Sequence, residues 1–130
     1  MNKNISNYNK ELREKDPSEI IKWALRISKK PLLTTNFRPY EAAIIHLCTK
    51  LKPKINILWC DTGYNTKAIY SYAEKIINSM NLNIKLYVPL QTSAHREVYM
   101  GKVPEIDDPK HKEFTEQVKL EPFNRAMEEI

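Results

Sequence analysis

At 130 residues the chain has the length of one domain, enough to bury a core without disulfides or a structural metal. Hydrophobic residues make up 42% and charged residues 28%, the balance of a soluble globular protein, and no apolar run approaches the roughly 20 residues that span a bilayer. The net charge of +5, from 21 Lys and Arg against 16 Asp and Glu, suits an anionic partner without choosing between nucleic acid and a phosphorylated small molecule. A solvated basic surface accounts for it as well.

The first fifteen residues, rich in Asn, Lys and Glu, have no apolar core followed by small residues. They read as a polar, loose arm over 1–15 and not as a secretory signal, which places the chain in the cytoplasm. Asp16-Pro17-Ser18-Glu19 predicts a helix start: Asp16 can cap free amides, Pro17 needs no amide partner at the first helical position, and Glu19 closes a capping box. Ile20, Ile21, Ala24, Leu25 and Ile27 follow at helical spacing. The chain then alternates an apolar run Leu32 to Phe37, a helical stretch Pro39 to Leu51, a run Ile55 to Cys60, a helical stretch Thr66 to Met80 and a run Ile84 to Val88. This β-α-β-α-β order predicts parallel strands with right-handed crossovers, hence a three-layer α/β/α domain over 16–130. Farther on, Ser93 to Met100 can form a short helix that Gly101 ends, Asp108-Pro109 can start another, and Glu121-Pro122 a third that is still running at Ile130.

Ligands of such sheets bind at the carboxyl ends of the strands. Here those ends are Thr35-Asn36-Phe37-Arg38, Asp61-Thr62-Gly63-Tyr64 and Pro89-Leu90-Gln91. The first turn, extended back to Thr34, sets hydroxyls, an amide and a guanidinium before a helix that Pro39 begins. Free amides at that helix start attract phosphate, Thr and Asn can hydrogen-bond its oxygens, and Arg38 can grip two at once. Capping plus a solvated arginine explains the same residues. In the second turn Asp61 could accept hydrogen bonds from a ribose or adenine, and Gly63 permits close backbone approach. Other chemistry is sparse. Cys48 and Cys60, twelve positions apart, lack the spacing of a zinc site or redox pair and read as small buried apolar residues. His46 reads as a packing or capping histidine, His95 and His111 as exposed, and Trp23 and Trp59 as core.

The segments Trp23-Ala24-Leu25, Leu33-Thr34-Thr35-Asn36-Phe37, Leu58-Trp59-Cys60-Asp61-Thr62-Gly63-Tyr64, Asn81 to Tyr87, and Lys119-Leu120-Glu121-Pro122-Phe123-Asn124-Arg125-Ala126 resemble, in order and spacing, the phosphoadenylyl-sulfate (PAPS) reductase family. The resemblance covers about residues 18 to 130 and rests chiefly on the D-T-G-Y and K-x-E-P-x-N-R-A segments together. It implies a Rossmann-like fold of the adenine nucleotide α-hydrolase-like superfamily, here an incomplete N-terminal part, whose first strand-helix turn binds phosphate or sulfate. It further implies PAPS or a related adenine nucleotide as ligand, thioredoxin as external reductant, and Lys119 near the phosphosulfate. The site residues expected on both grounds are Thr34, Thr35, Asn36, Phe37, Arg38, Asp61, Thr62, Gly63, Lys119 and Arg125; unaided, the sequence reads Lys119 and Arg125 as helix-surface charges.

Three departures qualify the resemblance. Arg38 stands where the family has a glycine, so contact by side chain replaces contact by amide or the cradle narrows. Phe114 and Thr115 stand where the iron-sulfur branch carries paired cysteines, so no cluster is expected. The family's Glu-Cys-Gly-Leu-His motif, whose thiolate attacks the sulfonate sulfur, does not occur in these 130 residues. The expectation is therefore a sulfur-assimilation protein that either associates with itself or belongs with a C-terminal half, and that does not complete the reduction alone. The alternatives are a non-catalytic nucleotide- or sulfonucleotide-binding module, and an ATP-using enzyme such as a sulfate adenylyltransferase subunit, whose Ser-Gly-Gly-x-Asp-Ser loop is absent. A nucleic-acid role has only the charge behind it.

Overall fold

The computed structural model describes residues 5–130. Two helices, α1 (Ile5–Leu12) and α2 (Pro17–Ile27), precede strand β1 (Leu32–Thr34), helix α3 (Glu41–Leu51), strand β2 (Asn56–Cys60), helix α4 (Lys67–Met80) and strand β3 (Asn83–Tyr87). Helix α5 (Ser93–Met100) follows. The last segment is one continuous helical rod: α6 (His111–Thr115), a π turn (Glu116–Leu120) and α7 (Glu121–Glu129).

The three strands are parallel in the order β1-β2-β3, with Leu33 opposite Ile57 and Ile57 opposite Ile84. Alternate strand residues face opposite sides. On one face Leu33, Ile57, Trp59 and Ile84 pack with Leu25 of α2, Ile45 of α3 and Ala73, Ile76 and Ile77 of α4. The opposite face carries Thr34, Leu58 and Cys60, and there the rod lies across β2 and β3, burying Val118, Pro122 and Ala126. The result is the expected three-layer α/β/α sandwich. No described helix is long and apolar enough to cross a membrane.

Local chemistry sets the boundaries. Asp16 accepts from the amides of Ser18 and Glu19 at 2.9 and 3.1 Å, while Glu19 accepts from the Asp16 amide, completing the capping box. Thr66 caps α4, and Asn81, at φ 48°, ends it in a left-handed turn that leads directly into β3.

Three expectations need correction. The segment read as a loose arm contains α1: Tyr8 packs edge-on against Trp23, ring centroids 5.2 Å apart, and this aromatic contact helps to hold a mostly polar helix on α2. The first four residues of that arm lie outside the described residues. The apolar run Leu32 to Phe37 is strand only to Thr34, because the chain turns at Thr35. Finally, α7 does begin at Glu121 with Pro122 in its first turn, but it continues from the π turn and is not a separate helix. Proline has no amide and crowds the carbonyl four residues back; the π turn just before it loosens the helical repeat, so the rod passes through Pro122 unbroken.

Candidate functional site

The first turn is held by one carboxylate. The Thr35 amide extends the sheet by donating to the Leu58 carbonyl at 3.0 Å. Its buried hydroxyl accepts from the Phe37 amide at 2.9 Å and donates to Glu41 Oε2 at 2.6 Å. The Asn36 amide donates to the same Glu41 oxygen at 2.8 Å. Phe37 takes φ 55°, a left-handed conformation that costs a bulky residue about 1–2 kcal/mol. Its ring offsets that cost by going into the core, edge-on to Trp59 with centroids 4.9 Å apart. Arg38 itself is not in the left-handed region; the positive φ of this turn falls one residue earlier, at Phe37.

At the second turn the arrangement is inverted, with a carboxylate at the strand end and donors around it. Asp61 Oδ1 accepts from the Gly63 amide at 3.0 Å and Asn65 Nδ2 at 2.8 Å, and the Tyr70 hydroxyl reaches both carboxylate oxygens at 2.9 and 3.0 Å. Burial, and then the bond to Asp61, push the Tyr70 hydroxyl above its ordinary pKa. Oδ2 keeps room for one more donor. Gly63 has φ 79° with open space where a Cβ would stand, so the turn's conformation, not a close neighbour, requires glycine here.

A cavity of about 410 Å³ opens at the carboxyl ends of β1 and β2. Thr34, Thr35, Asn36 and Glu41 form its polar wall, and Leu58 and Cys60 its floor. The rod supplies the far wall with Lys119, Leu120 and Phe123. Lys119 sits in the π turn and makes no ion pair or side-chain hydrogen bond among the described residues, so its charge is available to a ligand. A neighbouring cavity of about 390 Å³ includes Thr62, Tyr64, Phe114 and again Lys119, which thus borders both turns.

The expected residues therefore divide. Thr34, Thr35, Asn36 and Lys119 meet around one cavity, and Thr62 borders the next. Phe37 is 1% exposed and turned into the core, while Arg38 is exposed and outside the cavity lining. Asp61 and Gly63 shape their own turn. Arg125 is committed elsewhere: Nε donates to Glu121 Oε1 at 2.7 Å, Nη2 to the Val88 carbonyl at 2.7 Å, and the guanidinium lies 5.3 Å from the Tyr87 ring centroid. Burial raises both thiols above the ordinary range, Cys60 being partly compensated by the nearby Arg125 charge. Phe114, at a position where the iron-sulfur branch has cysteine, packs edge-on against Tyr64 at 5.2 Å. Among the described residues no group of three or more His, Cys, Asp or Glu is placed to hold a metal.

Residues 30–130 match the phosphoadenosine phosphosulfate reductase domain. The chain belongs to the phosphoadenosine phosphosulfate reductase family. Similar proteins include phosphoadenosine 5′-phosphosulfate reductases of Synechococcus, 29% identical over 97% of this chain and 55% of that protein, and of Synechocystis, 31% identical over 92% and 49%. Another, from Xylella fastidiosa, is 33% identical over 83% of this chain and 46% of its own length. The chain thus spans about half the length of the curated relatives it matches. Among solved structures, a Candida auris phosphoadenylyl-sulfate reductase in a phosphate complex superposes with a TM-score of 0.85 at 22% identity, over 99% of this chain and 63% of that one. That likeness establishes the shared fold.

In this reductase-family chain several site residues escaped the sequence reading. Leu58 and Cys60 follow from period two, since they share a sheet face with Thr34. Phe123, four residues after Lys119, shares its helical face. Glu41 gave a different signal: an acid in the first turn of a helix is ordinarily a partner of the helix dipole, whereas here it reaches back to the preceding loop.

Proposed function

We propose that residues 16–130 form the nucleotide-binding unit of a cytoplasmic PAPS reductase and that PAPS binds in the cavity at the ends of β1 and β2. The observation that carries this reading is the convergence of Thr34, Thr35 and Asn36 with Lys119, whose cation has no ion pair among the described residues, around one cavity. Hydroxyl and amide donors facing an ammonium suit a group with several anionic oxygens. Family membership supplies the ligand class. The phosphosulfate lies between the first turn and Lys119, and the adenosine extends toward the second turn, where Asp61 Oδ2 retains one acceptor position.

Reduction by the family route begins with attack of a cysteine thiolate on the sulfonate sulfur. The sulfur-oxygen bond to the nucleotide breaks, adenosine 3′,5′-bisphosphate leaves, and thioredoxin's dithiol resolves the enzyme thiosulfonate to sulfite. Cys48 is buried, and burial holds both Cys48 and Cys60 in the protonated, weakly nucleophilic form. The nucleophile is therefore assigned to the cysteine motif that these 130 residues do not contain, and the chain works with that half of the enzyme, without an iron-sulfur cluster. Calorimetric titration tests the reading: adenosine 3′,5′-bisphosphate is expected to bind roughly tenfold or more tightly than AMP, through charge-assisted bonds to the additional phosphate. Equal affinities, or none, reject it.

A further inference from the structure

Two of the hydrogen-bond donors that the first turn could offer an anion are already in use. The Thr35 hydroxyl has a single hydrogen, and it goes to Glu41 Oε2 at 2.6 Å. The Asn36 amide goes to the same oxygen at 2.8 Å. Glu41 is the first residue of α3 and lines the cavity that Thr34 and Lys119 also face. One carboxylate oxygen thus occupies, with the geometry of charge-assisted bonds, the place between loop amide and hydroxyl where a phosphate or sulfate oxygen would sit.

We propose that Glu41 is a built-in competitor for the anion cradle: a phosphate- or sulfate-bearing ligand enters by displacing its carboxylate from Thr35 and Asn36. The proposal rests on the preceding reading for the ligand's identity, but the competition applies to any tetrahedral oxyanion. Displacement is sterically open, because Glu41 hangs from the start of a helix beside open cavity space, and swinging its side chain outward releases the Thr35 hydroxyl and the Asn36 amide but breaks no backbone–backbone hydrogen bond. While the carboxylate is seated the cradle is filled, and two anions contending for it repel each other. Apparent affinity then equals intrinsic affinity reduced by the fraction of molecules in which Glu41 has swung away. The consequence is selectivity: an isolated phosphate competes poorly, whereas a ligand also held by Lys119 and a second cavity wall can displace the carboxylate.

The test is titration of the 130-residue chain and its Glu41→Gln and Glu41→Ala variants with inorganic phosphate, followed by amide chemical shifts, alongside adenosine 3′,5′-bisphosphate. Inorganic phosphate is expected to bind roughly tenfold to a hundredfold more tightly to Glu41→Ala, and by a smaller factor to Glu41→Gln, whose neutral carbonyl still accepts but no longer repels. A carboxylate that only shaped the turn would give the opposite sign, since a loosened cradle binds less tightly. Unchanged or weaker phosphate binding in the variants overturns the proposal, and if the alanine variant does not fold, the isosteric glutamine variant decides. Tighter phosphate binding in variants that, like the unaltered chain, do not bind adenosine 3′,5′-bisphosphate upholds the competitor and rejects the PAPS reading. Nucleotide binding with phosphate affinities equal across all three proteins does the reverse.

Discussion

The two turns at the ends of β1 and β2 use the same chemical pair, a carboxylate and a set of loop donors, in opposite senses. At the first, the loop presents donors and the carboxylate arrives from the following helix, beside a cavity. At the second, the carboxylate belongs to Asp61, the residue directly after the strand, and Gly63, Asn65 and Tyr70 close around it. The difference lies in what can be exchanged. A ligand oxyanion can take the place of Glu41 without disturbing the strand end, whereas nothing can take the place of Asp61 without releasing three donors at once. The first turn is thereby suited to binding and the second to scaffolding.

The largest test of that contrast attacks the first turn from beneath. Phe37→Ala should cost about 3–5 kcal/mol in urea denaturation, because the ring is buried against Trp59 and its loss leaves a cavity under the cradle. A loss under about 1 kcal/mol would mean that the turn does not depend on this anchor. Next, Asp61→Ala should cost about 1–3 kcal/mol, since the donors it serves lose their acceptor, while Glu41→Gln should cost less than about 1 kcal/mol. Equal costs would erase the distinction between scaffold and exchangeable turn. Lys119→Met should weaken adenosine 3′,5′-bisphosphate binding by roughly tenfold with little change in thermal midpoint, because its ammonium has no ion pair or side-chain hydrogen bond among the described residues. An unchanged affinity would move the ligand off the wall the two cavities share. The smallest effect concerns Cys60 on the cavity floor. Its raised pKa predicts slow alkylation at neutral pH that accelerates only above the ordinary thiol range, and slower still in Arg125→Gln, where the compensating charge is gone. The linked stability is fully present below the thiol's unfolded pKa and lost as pH rises through the folded one. Rapid alkylation at pH 7 would show an activated thiol.

Residues whose meaning is local were legible in the sequence, and residues whose meaning is tertiary were not. Asp16 and Glu19 announce their capping box because both partners lie within one turn, and short apolar runs between helical stretches announce the strands. Thr34, Thr35 and Asn36 could be placed at a strand end. Their meeting with Lys119, some eighty residues away, came only from family resemblance, because no local rule brings a helix across that edge of the sheet. Phe37 stands in the expected site through its place in the first turn and in the family-like segment, but its left-handed φ sends the ring into the core against Trp59, which no local rule for a bulky residue announces. The polar composition of α1 hides its packing contact, Tyr8 on Trp23, which only the tertiary structure brings together.

The π turn at Glu116–Leu120 has a consequence for rotational phase. One extra residue in a helix turns everything beyond it by about 100° relative to an uninterrupted α-helix. That offset lets the two ends of one rod rest on different bearings: Phe114 upstream on Tyr64 of the second turn, and Arg125 downstream on Tyr87 of β3. Lys119 stands at the joint between them. Removing a single residue there would return the rod to an even pitch and swing one of its ends off its seat, so the length of this five-residue segment is constrained more tightly than its composition.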